Sequence, residues 1–81
     1  MKLTIRLFAT LKERAGTNAL ILEFPDSANV ETLLAMLAVQ VPSIAPSLKT
    51  VLVAVNNEYA FAEHILTQGD EIALFPPVSG G

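Results

Sequence analysis

The stretch Asn29-Val30-Glu31-Thr32-Leu33-Leu34-Ala35-Met36-Leu37-Ala38-Val39-Gln40-Val41 decides the fold. Its apolar positions Val30, Leu33, Leu34, Leu37 and Val41 recur at helical spacing, which marks one face of a helix for burial. Asn29 suits the N-cap, where a short side-chain oxygen accepts an orphan backbone N–H, and Glu31 stands near the positive end of the helix dipole. Pro42 closes the segment. A helix with a wide apolar face needs a sheet or other helices to cover it, so the flanking sequence determines the class.

Upstream, Lys2 to Phe8 alternates, with Leu3, Ile5 and Leu7 on one face and Lys2, Thr4 and Arg6 on the other, the period of a half-buried strand. Phe8 falls on the polar face. Thr10 to Ala15 predicts a short charged helical turn, ended by Gly16 in a left-handed conformation. Ala19 to Phe24 predicts a second strand with Leu20, Leu22 and Phe24 on one face, stopped at Pro25-Asp26-Ser27, and the two strands are expected to pair as a hairpin. Downstream, Pro42 to Pro46 reads as an irregular connection. Val51 to Val55 reads as a buried strand and Asn56-Asn57 as a turn. Glu58 to Leu66 is weakly patterned, with Tyr59 and Phe61 on one face of a short strand. After the Gln68-Gly69-Asp70 turn, Glu71 to Phe75 is the last strand, with Ile72 and Leu74 inward. The order strand, strand, helix, strand, weak strand, strand is that of an α+β domain, a mixed sheet with one main helix packed across it.

With 81 residues, 52% of them apolar, the chain has room for one core and enough apolar side chains to fill it. Charged residues are only 16%, below the usual quarter or so, which leaves neutral and apolar side chains on the surface and suggests a partner. The formal net charge of −3 argues against a nucleic-acid ligand. The longest apolar run, Leu33 to Val39, is far short of the roughly 18 residues of a membrane span, so no membrane insertion is expected. The N-terminus lacks the pattern of a secretory signal, and a cytoplasmic location is expected. With no cysteine there is no thiolate ligand or sulfur nucleophile, and sulfur chemistry here requires sulfur from outside.

Catalytic constellations are missing from the sequence. His64 is the single histidine and reads as a surface residue, the serines have no base arranged beside them, and the acidic residues read as solvated faces and caps. No metal site or bound cofactor is expected. Two features stand out instead. Phe8 and Phe75 each put an aromatic ring on the outward side of a strand, and Pro76-Pro77-Val78 prolongs the second apolar stretch. If the two strands are neighbours, these residues form one binding patch. The chain also ends in Gly80-Gly81. A tail without side chains fits a narrow channel, because glycine permits close approach of other groups. The group on offer is then the carboxylate of Gly81, ionised at neutral pH and a poor electrophile until activated, for instance as an acyl adenylate.

Three segments carry a family resemblance: Leu7-Phe8-Ala9-x-Leu11-Lys12-Glu13-x-x-Gly16, Ala54-Val55-Asn56, and Gly69-Asp70-Glu71-Ile72-Ala73-Leu74-Phe75-Pro76-Pro77-Val78-Ser79-Gly80-Gly81. Together they resemble the small subunit of molybdopterin synthase (MoaD type), from end to end of the chain. The resemblance implies a ubiquitin-like β-grasp domain over residues 1–75 and an extended tail over 76–81, with the first and last strands as parallel neighbours. It implies that Phe8, Leu11, Phe75, Pro76, Pro77 and Val78 face a large synthase subunit (MoaE type), with Ser79 and Gly80 as the slim approach segment.

It further implies that Gly81 is adenylated with ATP by an E1-like enzyme (MoeB type). A sulfur donor such as a cysteine desulfurase or rhodanese then converts it to a thiocarboxylate. That sulfur would pass to cyclic pyranopterin monophosphate to build the dithiolene of the molybdenum cofactor, in an assembly that is typically a heterotetramer. On this reading the chain itself binds no cofactor. The alternatives are a thiamin-pathway sulfur carrier (ThiS type), a ubiquitin-like modifier that forms an isopeptide bond through Gly81, and an interaction domain whose tail carries no chemistry.

Overall fold

A computed structural model describes residues 1–77. The elements run β1 (Lys2–Leu7), α1 (Ala9–Ala15), β2 (Ala19–Glu23), α2 (Val30–Gln40), a 3₁₀ helix (Pro42–Lys49), β3 (Leu52–Val55), β4 (Glu58–Tyr59) and β5 (Glu71–Phe75). The strands form one mixed sheet in the order β2-β1-β5-β3-β4. β1 pairs antiparallel with β2 and parallel with β5, and β3 pairs antiparallel with both β5 and β4.

The register explains the alternation. Leu20, Ile5, Ile72 and Val55 stand in one row, and Leu7, Leu74 and Val53 in another, all on the inner face. Against them pack Val30, Leu33 and Leu37 of α2. Leu33 and Leu37 are sealed from solvent, and each such side chain contributes roughly 1.5–3 kcal/mol through burial. α2 is capped as the sequence indicates, with the Asn29 side chain accepting the Thr32 N–H at 2.8 Å. Its next amides are met by the chain that follows β4. Val30 N–H donates to the His64 carbonyl and Glu31 N–H to that of Ala62, both at 3.1 Å. This use of Ala62 to Leu66, also tied by the Leu66 N–H to the Ala28 carbonyl, gives the weakly patterned segment its function in the fold.

Three expectations are corrected. Pro42 to Pro46 is the first part of a 3₁₀ helix, not an irregular link. Pro42 occupies the first position, where its missing N–H is not needed, and Ile44 and Leu48 anchor the helix in the core. The weak strand is two residues long, and Phe61 lies beyond it, 82% exposed. Leu11, placed by the resemblance on the partner surface, is 0% exposed and pins α1 to the core. No described helix is long and apolar enough to cross a membrane.

Candidate functional site

The outer face of the sheet carries what the inner face does not need. One row across it reads Ala19, Arg6, Ala73, Ala54 and Tyr59, and the next pairs Phe75 with Leu52. β1 and β5 are hydrogen-bonded neighbours, and at their C-terminal ends the Phe8 and Phe75 rings stack with centroids 4.7 Å apart and planes inclined by 12°. Phe8 remains 39% exposed, Phe75 and Pro76 are half-buried, and Pro77 is exposed. The structure thus brings Phe8, Phe75, Pro76 and Pro77 to one end of one face, and removes Leu11 from it. Val78, Ser79, Gly80 and Gly81 lie outside the described residues.

Two local devices aim this patch. Phe8 is extended (φ −125°, ψ 154°), and Ala9 immediately turns the chain at a left-handed φ of 52°, a conformation that costs a non-glycine residue about 1 kcal/mol or more. The turn starts α1 and leaves the Phe8 ring against Phe75. Upstream of β5, the Asp70 carboxylate accepts the Thr67 N–H at 2.8 Å, the Thr67 hydroxyl at 3.1 Å and the Asn56 side-chain amide at 2.9 Å. The Asn56 side-chain Oδ1 in turn accepts the Glu71 N–H at 3.0 Å. Asn56 and Asn57 both hold positive φ, a conformation that asparagine tolerates well. The β3–β4 turn is thereby tied to the start of β5, and the register of Phe75 follows. Burial pushes the Asp70 pKa upward, but the bonds from Thr67 and Asn56 and the charge of His64 outweigh it, so the group sits below the usual carboxylate value. Arg6 and Glu71 form an exposed ion pair at 3.3 Å, worth less than about 1 kcal/mol.

Beside Phe75 a shallow depression of about 230 Å³ is lined by Ala54, Asn57, Tyr59 and Ala73. It is small for a metabolite pocket, which typically needs roughly 300 Å³ or more, but it has room for a partner's side chain. Sequence reasoning missed these four residues. The available signal was alanine at two outward strand positions, Ala54 and Ala73, where an alternating strand ordinarily places polar side chains. No cluster of three or more potential metal ligands occurs among the described residues. The described residues of the site offer an exposed apolar face that runs to Pro77.

The model of the ThiS family matches residues 5–81. The chain belongs to the ThiS family. Among its relatives, the molybdopterin synthase sulfur carrier subunit of Chlamydomonas reinhardtii is 37% identical, with 100% of both chains covered. That of Escherichia coli is 40% identical, covering 95% of this chain and 96% of its own. The crystal structure of small archaeal modifier protein 1 from Haloferax volcanii superposes with a TM-score of 0.87 at 31% identity over the whole of both chains. Ubiquitin of Caldiarchaeum subterraneum shares the fold at a TM-score of 0.68 and 19% identity. The α+β arrangement is therefore the ubiquitin-like β-grasp, as the sequence implied, and in this ThiS-family member the Phe8–Phe75 patch sits on its open sheet face.

Proposed function

We propose that this chain is a sulfur carrier and the small subunit of a molybdopterin synthase. The observation that carries the reading is its end-to-end match, at 37% and 40% identity, to relatives that bear this function in their names. The exposed apolar face around Phe8 and Phe75 supports it, because a subunit of a larger enzyme needs a docking surface and no catalytic set.

In the proposed cycle the Gly81 carboxylate attacks the α-phosphorus of ATP on an E1-like enzyme, giving an acyl adenylate and releasing pyrophosphate. The outer sulfur of a cysteine persulfide on a desulfurase- or rhodanese-type donor then attacks the carbonyl carbon and AMP leaves with the bonding pair, giving an acyl disulfide. A second thiol attacks the donor's sulfur, breaks the S–S bond, and releases the thiocarboxylate with a disulfide as the oxidised product. Docked on the large subunit, the thiocarboxylate sulfur displaces an oxygen substituent from a carbon of cyclic pyranopterin monophosphate to form a thioester. Water hydrolyses that thioester, leaving the sulfur on the pterin and restoring the Gly81 carboxylate. ATP is consumed by the activating enzyme and is not a cofactor of this chain. Phe8, Phe75, Pro76, Pro77 and Val78 form the partner surface, with Ser79 and Gly80 leading Gly81 into the large subunit's pocket.

The test is the intact mass of the protein after incubation with its activating enzyme, ATP and a sulfide source. A gain equal to one sulfur replacing one oxygen, mapped to Gly81 and absent without ATP, is expected. No gain with an enzyme shown to be active sinks the reading. The resemblance to the Haloferax volcanii modifier protein favours a second reading, in which activated Gly81 condenses with a lysine amine and AMP departs. An isopeptide-linked product in place of the thiocarboxylate selects it. A thiazole synthase as sole acceptor of the sulfur would instead select the thiamin-pathway carrier.

A further inference from the structure

The sheet has two edges, and they are treated differently. β4 is two residues long and carries Glu58, so it offers little to a passing strand. β2 is a five-residue edge strand, Ala19-Leu20-Ile21-Leu22-Glu23, with no proline or lysine to guard it. Its central Ile21 is 69% exposed.

The direction of its free backbone groups follows from its inner side. Met1 and Phe24 exchange bonds of 2.6 and 2.8 Å, and Leu7 N–H donates to the Asn18 carbonyl at 2.9 Å. In an antiparallel ladder such pairs alternate, so Leu22 and Leu20 also bond to β1, opposite Leu3 and Ile5. The N–H and C=O groups of Ala19, Ile21 and Glu23 therefore point to the open edge. Those of Ala19 are engaged by the Thr17 hydroxyl at 3.4 and 3.1 Å, a local contact that a strand can displace.

We infer that β2 pairs antiparallel with β2 of a second copy of this chain, about a two-fold axis at Ile21, to make one continuous sheet. The charge pattern selects this occupant and this register. Centred on Ile21, the pairing sets Ile21 against Ile21 and Glu23 against the small Ala19 of the other copy. The row then reads Arg6, Ala19, Glu23 of the second copy, Lys2 of the second copy, because Arg6 pairs with Ala19 and Lys2 with Glu23 within each chain. Each Glu23 thus gains a cation across Ala19, and no like charges stand opposite one another. A pairing centred on Glu23 would oppose two carboxylates, and one shifted toward Pro25 would meet a residue without an N–H. The Ile21 register alone uses all three outward residues on both strands. With β1 between β2 and β5, the Phe8–Phe75 patch stays uncovered.

The test is sedimentation equilibrium of the full chain at about 0.15 M salt, where screening within roughly 8 Å mutes the −3 on each copy. Concentrations run to about 1 mM, the weak end of specific association. A monomer–dimer equilibrium is expected, with the Ile21→Lys variant weakening it more than tenfold. Ile21 is exposed, so this variant folds, which circular dichroism checks. Amide exchange supplies the second readout: the Ile21 N–H slows as concentration rises, while the already bonded Leu20 and Leu22 change little. A chain that stays monomeric to about 1 mM overturns the inference. So does a dimer indifferent to Ile21→Lys, or one that leaves the Ile21 amide unprotected.

Discussion

The Phe8 and Phe75 rings stack at 4.7 Å although they belong to opposite ends of the chain. Parallel pairing of β1 with β5 brings them together, since Leu7 lies opposite Leu74 and a phenylalanine follows each in sequence. Stacked pairs contribute about 0.5–1.5 kcal/mol beyond their area. A double-mutant cycle of Phe8→Ala and Phe75→Ala in urea unfolding is expected to give a coupling energy in that range. Additive losses would mean the stack contributes no stability.

The same pair carries the docking prediction. Phe75→Asp puts a carboxylate into a surface that the large subunit would desolvate. The complex should weaken by about 3 kcal/mol, on the order of a hundredfold in Kd. The fold should persist, because Phe75 is only half-buried. Titration calorimetry against the large subunit measures it, and an unchanged Kd removes Phe75 from the interface.

Where one face of an element is buried, the fold is legible in the sequence. Leu3, Ile5 and Leu7 alternate because only one side of β1 meets the core, and Asn29 is recognisable because its side chain does the capping itself. What escaped has no side-chain signature. The amides of Val30 and Glu31 are satisfied by the carbonyls of His64 and Ala62, groups that every residue has. The 3₁₀ helix was hidden by Pro42 and Pro46, which read as breakers, although Ile44 and Leu48 carried a spacing that could have marked it. Of the exposed apolar patch, Phe8 and Phe75 were legible as aromatics out of phase with the alternation. Leu11 went astray because the Leu-Phe-Ala-x-Leu pattern mixes an exposed phenylalanine with buried leucines, and pattern alone does not separate them.

Leu11→Ala should accordingly report on stability. A fully buried leucine in a packed core costs about 2–5 kcal/mol on truncation. The urea midpoint should fall with an unchanged m-value. Under conditions where the variant remains folded, its affinity for the large subunit should match that of the parent chain. A normal midpoint with weakened docking would return Leu11 to the surface.

Asp70 sets a pH dependence. Its pKa in the folded chain lies below the ordinary carboxylate value of about 3.9, so between the two values the unfolded chain binds more protons. The stabilisation is complete above the ordinary value and disappears as pH falls through the lower, folded one. Asp70→Asn removes this dependence. The difference in unfolding free energy between parent and variant should therefore narrow on acidification below about pH 4. A difference constant from neutral to acid pH would show that the Thr67 and Asn56 bonds do not favour the ionised form.

Deleting Gly81 separates carrying sulfur from docking. In the proposed cycle the carboxylate on offer is then that of Gly80, one residue short of the position from which Gly81 would react. Near-attack placement is sensitive to displacements of about 1 Å, and one extended residue spans roughly 3.3–3.6 Å. Thiocarboxylate formation and synthase activity should both be lost. The domain should keep its unfolding midpoint, because its core lies within residues 3–74. It should also keep most of its affinity for the large subunit, because the Phe8–Phe75 face remains intact. Mass spectrometry, a synthase assay, urea unfolding and calorimetry on one preparation test all four, and synthase activity that survives the deletion would exclude Gly81 as the sulfur-bearing residue.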